Sequence, residues 1–299
     1  MMLLGMLFRK LGWMDEVFAA KMNKFVFLVP LPVLLFEQLA TVDFSEVWDI
    51  KFILFCFLVT AISITISTLI SLLWKDRSIK GEFIQATYRS SAALLGIAFI
   101  QNIYGTAGMA PLMIIGSVPL YNVFAVIVLT FESGHTGTDS SANIRKAFIN
   151  ILKNPIIIGI VLGLIASFIN LPLPGIVSKS INNLAVMTSP LALISIGASF
   201  EGRKALAKLK PTFAASFMKL LGWAAIFLPT AVFLGFRDQE LIALLIMLAS
   251  PCTPAAYIMA KNMDGDDILA SSIVVATTLL SSVTLTFWIF LLRLLSLIS

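Results

Sequence analysis

A single histidine and two cysteines in 299 residues leave no cluster from which a zinc or iron–sulfur site is built. Charge is equally scarce. Asp, Glu, Lys and Arg together make up 12% of the chain, about half the share of an ordinary soluble domain, while hydrophobic residues reach 59% and mean hydropathy is +0.98. A soluble globular enzyme is excluded on these grounds. No phosphate-binding glycine loop occurs, which argues against ATP-driven transport within this chain. No nucleophile with a base partner is legible either, so the chain does not read as an intramembrane enzyme. The formal net charge of +5 does not point to nucleic acid, because the 21 Lys and Arg sit between apolar runs.

What is present is a series of apolar segments long enough to cross about 30 Å of hydrocarbon, each expected to be helical because lipid offers backbone groups no other partner. Nine full spans are expected near 24–40, 52–74, 83–103, 108–131, 154–171, 180–200, 211–235, 240–260 and 268–298. An apolar stub, Met1–Phe8, precedes them and reads as a truncated first span, giving ten. Lys and Arg in successive connections number 4, 1, 4, 0, 3, 1, 4, 1 and 1. The alternation predicts a multi-pass protein with both termini outside and the 9–24, 75–89, 132–153, 201–210 and 261–267 connections cytoplasmic; the plasma (inner) membrane of a prokaryote is the location expected.

The chain also resembles itself. Gly5 aligns with Gly163 and Pro32 with Pro190, both at an offset of 158, and YGTAGMAPLMIIG from Tyr104 lies opposite DGDDILASSIVVA from Asp264 at 160. The expected organisation is a five-helix repeat over 1–131, a cytoplasmic linker over 132–153 and a second repeat over 154–299. An odd number of spans per repeat inverts the second copy, the construction of secondary transporters whose sites lie on discontinuous helices.

Spans 4 and 9 correspond in such a repeat, and span 9 contains ASPCTPAAYIMA. Pro251 and Pro254 remove backbone donors, and Ser250 reads as an N-cap with Pro251 opening a new helix. Ser90 and Ser91 are placed to open a helix in span 4 in the same way. Two positive helix ends near mid-membrane suit an anion, and Arg89 adds a full charge. Arg89 is equally compatible with a side chain that snorkels to the cytoplasmic face. The candidate substrate-binding residues are Arg89, Ser90, Ser91, Asn122, Ser250, Pro251, Cys252 and Thr253, with no catalytic residue, metal ligand or cofactor site. Lys219, eight residues into span 8, is expected to snorkel and be dispensable. Glu37 reads as interfacial, His135 as solvated, and Cys56 and Cys252 as apolar fillers.

The runs YRSSAALLG, YGTAGMA and VPLYNVFAV, the stretch NPIIIGIVLGLIAS with LPLPG and SPLALISIGAS, and the ending ASPCTPAAY with DILASSIVVATTLLS resemble the auxin efflux carrier family, in particular its bacterial malonate and malate carriers. The resemblance implies an all-α polytopic protein of ten helices in two inverted repeats, with a scaffold of spans 1, 2, 6 and 7 and a transport domain of spans 3–5 and 8–10. It implies that spans 4 and 9 cross where they unwind and bind a carboxylate there, and that the scaffold forms a homodimer. The family often carries Asn where Ser91 stands. The function expected is therefore secondary transport of small organic anions by an elevator-type mechanism, with a non-transporting ligand sensor or scaffold as the alternative.

Overall fold

The computed structural model describes residues 1–40, 49–105, 108–132, 149–169 and 171–298. His135 and most of the 132–153 linker lie outside the described residues. Every regular element is helical among those described. The first is the short α1 (Met2–Lys10). Asp15 accepts from the Phe18 amide at 2.7 Å and so starts α2 (Glu16–Leu28), which runs at Val29 into α3 (Pro30–Ala40). The second span thus begins at Glu16, well before the expected residue 24. Asp49 caps α4 (Ile50–Ser71) through the Phe52 amide at 3.0 Å.

After a 3₁₀ turn at Arg77–Ile79 the chain forms α5 (Lys80–Tyr88), breaks at 89–91, and resumes as α6 (Ala92–Tyr104). Gly105 ends α6 in the left-handed region at φ 76°, a conformation that costs glycine nothing. Next come α7 (Ala110–Glu132), then α8 (Pro155–Phe168) capped by Asn154, then α9 (Gly175–Ser199). The short α10 (Gly202–Ala207) leads to α11 (Leu209–Phe217), whose last turn widens into a π-turn at Met218–Gly222 before α12 (Trp223–Phe233). A second broken span follows as α13 (Asp238–Ala249) and α14 (Pro254–Asn262), and α15 (Asp267–Leu294) closes the chain.

Seven of these helices or helix pairs are long and apolar enough to cross a membrane, and α8 is a shorter apolar helix. The protein is therefore all-α and polytopic. Burial separates one span from the rest: 94% of the apolar window of α13–α14 is enclosed, against 39–61% elsewhere. Surrounding helices keep exposed leucines, isoleucines and phenylalanines such as Leu58, Ile158, Phe213 and Phe290, as faces in contact with acyl chains must.

Two helix contacts fix the periphery, α1 on α9 and α3 on α8, and both rest on glycine. A Cβ at Gly5 would fall 2.0 Å from the Ile194 carbonyl oxygen, and one at Gly163 would fall 2.8 Å from the Phe36 carbonyl oxygen. Only a hydrogen fits in either place. The two contacts are related by the sequence offset, since Gly5 and Phe36 become Gly163 and Ile194 on adding 158.

Candidate functional site

The two breaks meet. The Ser91 amide donates to the Pro251 carbonyl oxygen at 3.0 Å, joining the irregular segment of one broken span to that of the other. Ser91 is the N-cap of α6, while Thr253, not Ser250, is the N-cap of α14. The reason is the pair of prolines. Pro254 occupies the first helical position, where its missing N–H is not needed, and the Thr253 hydroxyl accepts from Ala255 at 3.4 Å. Ser250 instead ends α13 in extended conformation, as a residue before proline tends to do. Pro251 and Cys252 are left spanning the gap.

An open cleft of about 410 Å³, open solvent included, lies against this crossing. One wall is apolar, formed by Leu31, Leu34 and Leu35 of α3. The other carries Arg89, Ser90, Ser91, Asn122 and Thr253. Five of the eight candidate residues thus share one surface. The remaining three do not face it: Ser250 is fully enclosed with its hydroxyl unpartnered, Cys252 uses its amide on the Thr277 hydroxyl at 3.1 Å, and Pro251 contributes the carbonyl that holds Ser91.

Arg89 is the one cation on the cleft wall, and it does not snorkel. It is 2% exposed and is held from several sides: its guanidinium donates to Gln85 Oε1 at 3.2 Å and Asn122 Oδ1 at 2.8 Å, and lies 2.7 Å from Met259 Sδ. Its Nε has no partner. The Asn122 amide nitrogen is tied to the Val118 carbonyl at 2.9 Å, so the whole side chain is oriented with its oxygen on the arginine. Gln85 continues the chain inward, donating to both oxygens of the buried Glu82 at 2.9 and 2.7 Å. Glu82 lies just ahead of the expected span 4 and Gln85 in its first turn, both among the basic residues of the 75–89 connection, and nothing in their spacing marked them.

Lys219 overturns the snorkelling expectation. Its side chain is fully buried, and its ammonium donates to the Ser90 hydroxyl and to the Met247 and Leu248 carbonyls, at 3.4 and 3.0 Å for the latter two. The physical cause is local: α13 stops at Ala249, so its last carbonyls lack partners, and a cation near them is favourable. The π-turn at 218–222 was a signal absent from the sequence pattern, and such turns recur at functional positions. Cys56 and Cys252 are free and buried, as apolar fillers are. Glu37 accepts from the Asn182 amide at 2.6 Å.

A second, wider cleft of about 980 Å³, open solvent included, is lined by Arg9, Glu16, Glu201, Lys204, Lys261 and Asp267 among others. It lies on the side of the basic connections. On the same side Lys208 joins two loops, pairing with Asp266 at 2.8 Å and Asp76 at 3.5 Å. Partial burial pulls the Lys208 pKa down, but the Asp266 hydrogen bond and the charges of Asp266 and Asp76 outweigh it and hold the ammonium above its ordinary value.

The profile of a family described as "membrane transport protein" matches residues 1–289. An uncharacterized transporter from Methanothermobacter thermautotrophicus is 25% identical over 296 residues, covering 96% of this chain and 94% of the archaeal protein. A match over nearly the whole of an all-α, polytopic chain settles the affiliation: the chain belongs to this family of membrane transport proteins, the auxin efflux carrier family.

Proposed function

We propose that this protein is a secondary transporter or facilitator of small organic anions, with a carboxylate held where α5–α6 and α13–α14 cross. The observation that carries the reading is Arg89: a guanidinium only 2% exposed on the wall of an open cleft, with an unpartnered Nε, beside the N-termini of α6 and α14. A buried cation without a carboxylate partner is costly unless an anion completes it. Helix N-termini supply further donors for the same charge.

The movement in this reading is of elevator type. The exchange-related contacts of Gly5 with Ile194 and Gly163 with Phe36 support an inverted repeat, with α1, α2–α3, α8 and α9 as a frame. The crossing belongs to the other helices, so the cleft between Leu31, Leu34 and Leu35 and the Arg89 wall falls at the boundary between frame and moving part. Displacement along that boundary would carry the site across the membrane while leaving the crossing intact.

The test is a thermal-stability screen of the purified protein against mono- and dicarboxylates, followed by counterflow of any hit in proteoliposomes. A carboxylate that raises the unfolding midpoint and exchanges across the bilayer supports the reading. Binding without exchange would leave a sensor, and stabilisation by amines or sugars alone would overturn the anion assignment.

A further inference from the structure

We propose that Lys219 is a tethered cation: its ammonium fills an oxygen site at the C-terminal end of α13, the place a free monovalent cation would otherwise occupy, and so keeps the two breaks in register. The consequence for anion binding rests on the function proposed above; the site itself does not.

The donors and acceptors match an ammonium. The Ser90 hydroxyl spends its hydrogen on the Met247 carbonyl and therefore accepts from Lys219 through a lone pair. With the Met247 and Leu248 carbonyls, that gives three acceptors for three N–H donors, the full complement of –NH₃⁺, which accepts nothing. No carboxylate pairs with Lys219 among the described residues. Its charge is compensated instead by the carbonyl end of a half-helix, and half-helix C-termini with unwound carbonyls are the groups that coordinate sodium in transporters with interrupted spans.

The position also ties the two breaks together. Ser90 belongs to the first, directly beside Arg89 and Ser91, whereas Met247 and Leu248 are the last full turn before the second. Removing the ammonium while leaving the oxygens would open a site facing the small cavity lined by Thr60, Ser63, Tyr121 and Met247. Lys219 does not line the cleft and reaches its wall through the hydrogen bond to Ser90, so it acts as a positioning residue.

The experiment compares thermal unfolding of the purified full-length wild type, Lys219→Ala and Lys219→Arg in sodium, potassium and choline chloride at equal ionic strength. No carboxylate is needed, so failure of the anion reading and failure of this one are distinguishable. The wild type should show one unfolding temperature in all three salts, and Lys219→Arg, whatever its own stability, should likewise be indifferent to the salt because its side chain still carries the cation. Lys219→Ala should unfold about 5 °C or more lower in choline and recover at least half of that loss in sodium or potassium. Where a carboxylate ligand is in hand, its affinity for Lys219→Ala should be about tenfold weaker in choline and return with the metal cation. A wild type stabilised saturably by sodium over choline would overturn the proposal, because the site would already be open. A Lys219→Ala protein that matches wild type, or is equally destabilised in every salt, would overturn it as well. If Lys219→Ala cannot be purified, Lys219→Gln is judged by the same criterion.

Discussion

The two breaks that meet at the crossing are held open by different means. In α13–α14 the interruption is built into the chain: Pro251 and Pro254 both lack amide hydrogens, so a helix through 250–254 would miss two donors within one turn, whereas α7, α9 and α12 each accommodate a single proline. In α5–α6 no proline is present, and Arg89, Ser90 and Ser91 are residues a helix tolerates. There the break is kept by partners: Asn122 and Gln85 on Arg89, Met247 and Lys219 on Ser90, and the Pro251 carbonyl on the Ser91 amide. The second break is a template and the first is shaped on it. A break maintained by side chains is the one whose geometry a ligand can alter, and it is the one that carries the arginine.

The sharpest test of this contrast is Arg89→Gln. It removes the guanidinium that both orients the first break and offers charge to the cleft, so carboxylate affinity should fall about 100-fold or more, the loss of two charge-assisted hydrogen bonds at roughly 1.5–3 kcal/mol each. Equilibrium titration measures it, and Arg89→Lys should restore little because an ammonium does not reproduce the planar fork. Retained affinity in Arg89→Gln would move the anion elsewhere. The double change Pro251→Ala with Pro254→Ala should come next. Both are replaced so that the fused helix lacks no backbone donor and has no ring against the preceding turn. With both gone α13 and α14 can fuse and withdraw the Pro251 carbonyl from Ser91, weakening binding by about 10- to 100-fold while the protein remains monodisperse on size exclusion. If binding survives with the helix continuous, the template argument fails.

A smaller effect is expected of Ser91→Ala, about tenfold for one hydroxyl hydrogen bond to the carboxylate at roughly 1.5 kcal/mol, whereas Ser91→Asn should retain or improve affinity because an amide donates as the hydroxyl does. Parallel titrations with one ligand would show whether that order is right. Smallest of all is the loop pairing far from the crossing. The Ser78 hydroxyl, the Ser78 amide and the Lys208 charge hold the Asp76 carboxyl below its usual range. A depressed carboxylate stabilises the folded state above its unfolded pKa of about 3.9, and the contribution disappears as pH falls through the lower folded value. Asp76 is half exposed, so the effect is screened. Asp76→Asn should cost less than about 0.5 kcal/mol at pH 7 and progressively less as the pH is lowered past the unfolded value, read from denaturant unfolding across an acid pH series.

Much of this was legible before any coordinates. Hydropathy located the seven long apolar spans because lipid admits only helices, and two prolines within one turn located the second break, where single prolines in α7, α9 and α12 mark none. The first break was visible only through the offset of 160, which carries Pro251 onto Ser91. The reading erred where neighbours decide. Ser250 and Thr253 are equally good caps in isolation, and Pro254 settles the choice by requiring the first helical position. Lys219 looked like a snorkelling residue because a long stem near a span end usually is one. Its actual direction depends on carbonyls 28 and 29 residues away, brought alongside by the fold. Glu82 and Gln85 were passed over because a buried carboxylate bound by an amide leaves no trace in local composition.

The glycine contacts of the periphery have a mechanical consequence. At Gly5 on Ile194 and Gly163 on Phe36, main chain rests on main chain with no side chain between. Such a contact has no rotamers to exchange and no soft methylenes to compress, so it resists shear and stores little disorder. The crossing has the opposite character, joined largely through the rotatable side chains of Arg89, Ser90 and Lys219. Stiffness in this molecule therefore follows the smallest residues, and compliance follows Arg89, Ser90 and Lys219.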